Sequence, residues 1–301
     1  MGIFDIFKVI KDGKDHVRYE LKDEYVKHLH NGEEKFYLED GKSYFERYQN
    51  KEDFGVTTKI KHYNENSQLI GEGNLKSEKK EGLWKFYDEN GQLQEEGNFK
   101  DGKHNGLWKS YYENGQLKQE GKYTGYQKKE GWWKLYYING NIEQETHFIN
   151  ETPNGIHKDY YEHGPLKQET KMIDGIPNGL SKQYYENEKL EQQGDLKNGK
   201  KEGLWKIYDE NEKLKSEESY IDGIPNGILK NYYENGQLMS ETYMIDGILN
   251  GLGKQYYENG KLQQQGDLKN GKREGLWKFY DENGQIKGEN EYKDGNESNM
   301  M

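Results

Sequence analysis

Residues 81–93 read EGLWKFYDENGQL, and residues 274–286 read EGLWKFYDENGQI. A catalytic motif is normally written once, so thirteen residues written nearly twice point to a repeated structural unit. Taking the glycine before LW as slot 0, the same position recurs at Gly82, Gly106, Gly131, Gly155, Gly179, Gly203, Gly227, Gly251 and Gly275. The spacing is 24 residues, with one step of 25 from Gly106 to Gly131. Slot +5 is Tyr in all nine units, from Tyr87 to Tyr280, slot +3 is Lys from Lys85 to Lys278, and slot +11 is Leu or Ile from Leu93 to Ile286. Slot +17 is Phe, Tyr, Met or Leu. A further unit sits on Thr58, with Tyr63, Leu69, Glu72 and Leu75 in register, and a fainter one starts at Gly32. Fixed periods of this length are the mark of a repeat array. A longer period of three units is visible where Gln183–Asn211 nearly matches Gln255–Asn283.

Each unit carries two runs of strand character separated by turn residues. The first run covers about slots +1 to +6 and the second about +10 to +18. Glu89-Asn90-Gly91 and its equivalents suit a type I turn closed by a left-handed glycine, because glycine alone takes positive φ freely. A second turn, written KDGK, KNGK or IDGI, leads to the next unit. Turn signals every ~8–12 residues indicate an all-β chain. A three-residue loop places Leu+1, Lys+3, Tyr+5, Leu+11, the small residue at +15 and the +17 aromatic on one face, which is then expected to be the packed face. A two-residue loop would instead set Lys+3 opposite Glu+14. Burying one leucine is worth roughly 1.5–3 kcal/mol, and an exposed ion pair only ~0.2–1 kcal/mol, so the three-residue register is expected. Lys+3 then lays its stem on the rings and sends its ammonium outward.

The expected fold is all-β, with tandem ~24-residue β-hairpins forming one elongated, twisted, single-layer antiparallel sheet. Ile3, Ile6, Phe7 and Ile10 have helical spacing and predict a short N-terminal helix that caps the first hairpin, with membrane contact as its minor reading. The boundaries expected are an N-terminal cap over 1–31, divergent repeats over 32–81, nine hairpin repeats over 82–295 and a disordered tail over 296–301.

Composition narrows the class. Of 301 residues, 33% are charged and 31% hydrophobic, with mean hydropathy −1.33. Globular chains hold about 45–50% apolar residues with glycine counted, so the composition argues against a thick aliphatic core. Tyr 26, Phe 9 and Trp 6, against only four Pro, argue against disorder, since aromatic rings cover a thin sheet well. The net charge of −11 opposes nucleic-acid binding, which depends on Lys and Arg, and attraction to anionic membranes. It suits a basic protein partner. Cysteine is absent, so thiolate chemistry is excluded, and a reducing compartment, the cytoplasm, is the expected location. No secretory signal is expected in MGIFDIFKVIKDGK, and no apolar run is long enough for a transmembrane helix.

Stretches such as GLWKFYDENGQLQEEGNFKDGK resemble the bacterial variant of the MORN repeat, over about Thr58 to Gly295. The resemblance implies a row of hairpins forming one elongated sheet and a non-catalytic, protein-binding role. Some bacterial relatives are classed as antitoxins or immunity proteins, so the resemblance implies an antitoxin or immunity protein that masks a toxin, a basic one given the acidity of this chain. A scaffold or membrane-associated adaptor is the alternative. Slot +9 departs from glycine at Glu188 and Glu212, and slot +2 departs from Trp at His157, Ser181, Leu229 and Gly253.

No nucleotide-binding loop, hydrolase elbow, metalloprotease motif or calcium loop is present, so no catalytic, cofactor or metal residues are assigned. His28 and His30 lack further ligands at zinc spacing, and His157 and His163 read as drift from the repeat. Asp88-Glu89-Asn90 and its equivalents read as turn chemistry, and Lys+3 as a structural row rather than an anion track. The candidate partner-binding residues are the even-slot aromatics: Trp84, Trp108, Trp133, Trp205 and Trp277 at +2, and Tyr112, Tyr137, Tyr161, Tyr185, Tyr233 and Tyr257 at +6. Trp and Tyr are common interface anchors, and slot +4 between them varies, from Phe86 to Phe279. The simpler reading is that both faces of a thin sheet need aromatic cover. Oligomeric state is left open by the sequence.

Overall fold

The computed structural model describes residues 58–298 apart from 78 and 126, together with the backbone of five strands within 7–48. All regular structure among the described residues is strand. The chain divides into two units, Met1–Thr152 and Pro153–Met301. In the first, Phe7–Lys11 pairs with Val17–Leu21, and the strands from Val26–His28 to Ile142–Ile149 follow. In the second, the strands run from Thr152–Tyr160 to Asn296–Glu297. Within each unit the strands from the first repeat onward are antiparallel and pair in sequence order.

The N-terminal helix is not found. Phe7–Lys11 is a strand whose Phe7 stands opposite Leu21 and Ile10 opposite Arg18. The segment FKVIK is rich in β-branched and aromatic residues, and VRYEL across a short connection offers it a partner, so pairing overrides the helical spacing of four residues. Ile3 and Ile6 lie outside the described residues. At the other end, Asn296–Glu297 pairs with Tyr292 and Lys293, so the last hairpin extends past residue 295.

Both turns follow from sequence. The Gly91 N–H donates to the Asp88 carbonyl (3.0 Å) and the Asp88 N–H to the Gln92 carbonyl (2.9 Å), which is the three-residue loop. Asp88 Oδ1 accepts from the N–H groups of Asn90 and Gln92, so this aspartate is a turn residue. Glu188 and Glu212 take φ of 66° and 63° where other units have glycine. The connecting turn is a two-residue loop, with Lys100 opposite Lys103 and Asp101 and Gly102 at φ of 51° and 79°. Positive φ at both positions is the twist-compatible hairpin turn. The slot-0 glycine is also left-handed, from 68° to 119° across the nine units, and sits in an irregularity of the first strand, as between His104 and Trp108.

A second irregularity changes the faces. Tyr87 stands opposite Leu93, but Phe86 stands opposite Glu95, leaving Gln94 as an extra residue. The same bulge recurs in every unit, as at Ser110/Tyr111 and Gln183/Tyr184. A one-residue slip moves side chains to the other face. The small residue at +15 and the apolar residue at +17 therefore join Trp+2, not Leu+1. The expected packed face is overturned: Trp+2 is the core and Leu+1 is exposed. In the first unit Trp84, Phe99, Trp108 and Trp133 form one cluster with Ile60 and Leu75. Lys+3 does not lie over the packed rings. It stands opposite Glu+14, and Lys134–Glu145, Lys206–Glu217 and Lys278–Glu289 pair at 3.0, 3.3 and 3.1 Å. The three-residue loop and the ion pair coexist because the bulge restores the register that a shorter loop would have given.

Candidate interaction surface

The five tryptophans proposed as anchors are only 1–8% exposed. A side chain so buried offers no surface to a partner, so their role is packing. Each ring lies on the slot +15 glycine of the preceding repeat: a Cβ on Gly97 would fall 1.9 Å from Trp108, and on Gly194 2.4 Å from Trp205. The indole N–H groups of Trp84, Trp133, Trp205 and Trp277 donate to the carbonyls of Asn74, Lys122, Asp195 and Asp267. A cation or His covers the other side. Lys80, Lys129 and Lys201 Nζ stand 4.7, 4.4 and 4.2 Å from the rings of Trp84, Trp133 and Trp205, Arg273 covers Trp277, and the His104 ring lies over Trp108. Burial pushes the Lys80 ammonium down to about 8 and lowers Lys129 and Lys201 in the same direction.

The six slot +6 tyrosines are half-buried. Five of them tie one repeat to the next: Tyr112, Tyr161, Tyr185, Tyr233 and Tyr257 donate to the carbonyls of Tyr136, Tyr184, Tyr208, Tyr256 and Tyr280. The predicted site thus separates into core rings and inter-repeat ties, and the structure does not gather it into one exposed surface.

The opposite face carries the features that sequence reasoning missed. Slot +1 is apolar in all nine units, from Leu83 through Trp132 to Leu276, and each side chain is 40–49% exposed. Between these side chains stands slot +16, which varies: Asn98, Lys122, Asp195, Ser219, Tyr243 and Asp267 among others. This is the constant frame with variable centres that solenoid binding faces use. Beside the row runs a polar ladder. The Tyr87, Tyr111 and Tyr136 hydroxyls donate to Glu72, Glu96 and Glu120. Where slot +14 is Gln the bond reverses, with Gln193 and Gln265 amides donating to Tyr208 and Tyr280. Burial, then the bond to Glu72, pushes the Tyr87 phenol up to about 12, and Tyr111 and Tyr136 shift the same way. These hydroxyl–carboxylate and amide–hydroxyl bonds repeat along the ladder, which reads as structural rather than as a nucleophile–base pair.

The sequence held a signal for the packed face. Gly73, Gly97, Gly121, Gly194 and Gly266 at +15 are each followed by Trp at the next +2, whereas Thr146, Thr170, Glu218 and Thr242 are followed by His157, Ser181, Leu229 and Gly253. Slot −2 follows the same division, with Lys80, His104, Lys129, Lys201 and Arg273 before Trp, and Pro153, Pro177, Pro225 and Leu249 elsewhere. In the second class Thr170 and Ser181 hydroxyls meet at 3.0 Å. Residues that change together are in contact, and reading them so places Trp+2 inside.

Among the described residues no helix is long and apolar enough to cross a membrane. No curated protein matches the chain. Among solved structures, the chain is similar to one described as "Crystal Structure of TcdB2-TccC3", at 11% identity over 82% of this chain and 17% of that one, with a TM-score of 0.16. It is similar to the same pair described with the suffix TEV at 11% identity, over 84% of this chain and 19% of that one, with the same TM-score. The chain spans less than a fifth of either, and a likeness at that score carries no argument. The model of the MORN repeat variant matches eight segments, residues 80–101, 105–124, 129–150, 177–198, 201–222, 225–246, 249–270 and 273–294. Repeat sheets of this kind are typical of non-catalytic proteins and commonly mediate protein interactions. With eight matched segments in the register of the hairpins described above, the chain belongs to the MORN repeat variant family.

Proposed function

We propose that the chain is a non-enzymatic binding protein that holds a protein partner on the slot +1 face, and that it works in the cytoplasm as an antitoxin or immunity protein neutralising that partner. The observation that carries the reading is the set of half-exposed apolar side chains that the first unit presents at slot +1, Leu83, Leu107 and Trp132. Single exposed leucines are ordinary on a surface, but an exposed apolar residue kept at the same slot of successive repeats, with a variable residue between, is a pattern. The variable slot +16 residues between them supply selectivity, and the net charge of −11 favours a basic partner through long-range attraction. The neutralising role rests on the kinship of this repeat with antitoxin and immunity proteins.

The test is affinity capture from host lysate with wild type and with Leu83→Glu/Leu107→Glu, both positions being surface-exposed. The expected result is one stoichiometric partner, lost in the variant while circular dichroism stays unchanged, and a partner whose activity is silenced on binding. A partner retained by the variant would refute the face. A partner bound but fully active would refute neutralisation and leave a scaffold.

A further inference from the structure

The connecting turns fall into two chemical classes on the slot +1 face. At 195–204 the side chains on that face are Asp195, Lys197, Lys200, Glu202 and Leu204, and at 267–276 they are Asp267, Lys269, Lys272, Glu274 and Leu276. At 219–228 they are Ser219, Ile221, Ile224, Asn226 and Ile228, and at 243–252 Tyr243, Ile245, Ile248, Asn250 and Leu252. At these five positions the two middle turns carry no charge, and their acids, Asp222 and Asp246, stand in the two-residue loops at the end of the patch, where Asp246 Oδ1 accepts from the Asn226 amide. Their isoleucines, with Ile228, Tyr243 and Leu252, are 43–53% exposed. A hollow of about 320 Å³ opens between Ile228, Tyr243 and Leu252, with the oppositely charged Glu241 and Lys254 on its wall.

We propose that this patch is the interface of a two-fold homodimer, in which the 219–252 faces of two copies pack on each other. The order along the sheet carries the argument. Over these four turns it reads charged, neutral, neutral, charged, so this stretch is the same from either end, and the charged turn at 195–204 separates it from the isoleucine turn at Ile173 and Ile176. Its centre is the cross-strand pair Ile228↔Tyr243. A two-fold axis lying between the facing sheets and parallel to the strands would set each neutral turn on the other neutral turn of the partner copy. The same axis would set 195–204 over the partner's 267–276. Each charged turn holds two acids and two lysines, so this contact is self-complementary in sign. An isologous interface requires such a self-complementary patch. No free strand edge exists here, since every strand from Leu214 to Tyr256 is paired on both sides, so the contact is face to face. Eight strands at ~4.8 Å by about five residues at ~3.3 Å give roughly 38 by 17 Å, or about 650 Å². That approaches the ~800 Å² per partner of a standard interface. A membrane fits less well, because the net charge of −11 opposes an anionic lipid surface.

This proposal stands apart from the partner-binding row of the first unit, because the Leu83→Glu/Leu107→Glu variant leaves the patch intact. Sedimentation of the full chain at on the order of 100 µM, well above the ~1 µM dissociation constant at the weak end of such interfaces, should give a dimer. Ile221→Glu/Ile245→Glu should raise the dissociation constant by about a hundredfold or more, since an unpaired charge would be buried, with circular dichroism unchanged. The chain has no cysteine, so Tyr243→Cys carries a unique thiol. A short bis-maleimide should join two copies of it, and should not join copies of Leu83→Cys. A wild-type monomer at that concentration, a dimer that survives Ile221→Glu/Ile245→Glu, or cross-linking at Leu83→Cys in place of Tyr243→Cys would each overturn the proposal. A monomer that instead co-sediments with anionic vesicles would overturn it in favour of a lipid surface.

Discussion

Gly97→Ala should destabilise the protein. In a strand interior the same change ordinarily helps, because glycine costs about 0.5–1 kcal/mol relative to alanine. Gly97 has no unusual backbone angle to protect. What forbids the methyl is the neighbour: a Cβ would lie 1.9 Å from Trp108 Cε3 and 2.6 Å from Cζ3. The ring cannot retreat, being held by Phe99 at 5.7 Å, Phe86 at 6.2 Å and His104 at 4.2 Å. Overpacking of a closed core costs about 1–3 kcal/mol, and the upper end applies because the first atom to clash belongs to a rigid ring. The net expectation is a loss of about 2–3 kcal/mol, opposite in sign to the propensity rule.

A double-mutant cycle isolates the cause. Gly97→Thr should be as damaging as Gly97→Ala in the Trp108 background. With Trp108→Ser present it should cost less than ~1 kcal/mol, because the pair then copies Thr170 and Ser181, whose hydroxyls bond at 3.0 Å. The coupling should reach ~2 kcal/mol, the size seen for residues in direct contact. Urea unfolding followed by circular dichroism measures all four corners. A neutral or stabilising Gly97→Ala, or a coupling near zero, would refute the claim that Trp+2 packs on the preceding Gly+15.

The remaining expectations are smaller. Glu188→Gly and Glu212→Gly should each raise stability by ~1 kcal/mol, because a side chain held at φ of 66° or 63° costs about 1–2 kcal/mol; the urea midpoint reads it, and an unchanged midpoint counts against the turn assignment. Thr242→Val should stabilise by about 1–2 kcal/mol, since the Thr242 hydroxyl is buried without a hydrogen-bond partner; a loss of stability in thermal melts would mean that the hydroxyl is solvated. Lys80 has its folded pKa lowered to about 8 from 10.5, so the unfolded chain binds more protons in that window and this group makes stability rise with pH between about 8 and 10.5. Lys80→Met should reduce that rise in pH-dependent unfolding, Lys129 and Lys201 being lowered in the same direction, and an unaltered profile would remove Lys80 from it. Tyr87 is raised to about 12 from 10.0, so its contribution is present below pH 10 and is lost between about 10 and 12; Tyr87→Phe should flatten that fall, and an unaltered profile would remove Tyr87 from the alkaline transition.

The period, the turns and the hairpin identity were legible because each is local. Gly91 and Gly102 are marked by their own backbone requirement, and the Asp88 side chain closes its own loop. The choice of face was not local. It depended on one extra residue at slot +12, and Gln94 has no property that marks it as a bulge. The argument from leucine burial was sound for a straight ladder, and it failed because the ladder slips between Tyr87 and Phe86. The error carried to the candidate site, since Trp84 and Trp133 were read as outside when each is only 1% exposed. The helical reading failed at Phe7 and Ile10 for a different reason. Four residues of helical spacing are weak beside a neighbouring segment able to pair along all five residues of Phe7–Lys11.

The two classes of connecting turn suggest why the array is not uniform. Where Trp occupies +2, the apolar mass sits in the core, and the other face of the turn carries charge, as at Lys197, Lys200 and Glu202. Where Trp is absent, the core loses a large ring, and isoleucines appear on the opposite, exposed face, as at Ile221 and Ile224. Truncating a buried Trp costs about 3–5 kcal/mol, so each such repeat gives up stability that its neighbours keep. Exposed isoleucine pairs return none of it in the isolated chain. Rules broken locally without compensation within the fold are expected at functional surfaces. On that reasoning, rebuilding the 219–229 turn with lysines at 221 and 224, Lys at 225, Gly at 218 and Trp at 229 should give a more stable protein by urea unfolding. The same protein should no longer self-associate. If it were less stable than wild type, the isoleucine turns would have to be counted as part of the fold, and the case for an interface there would fall.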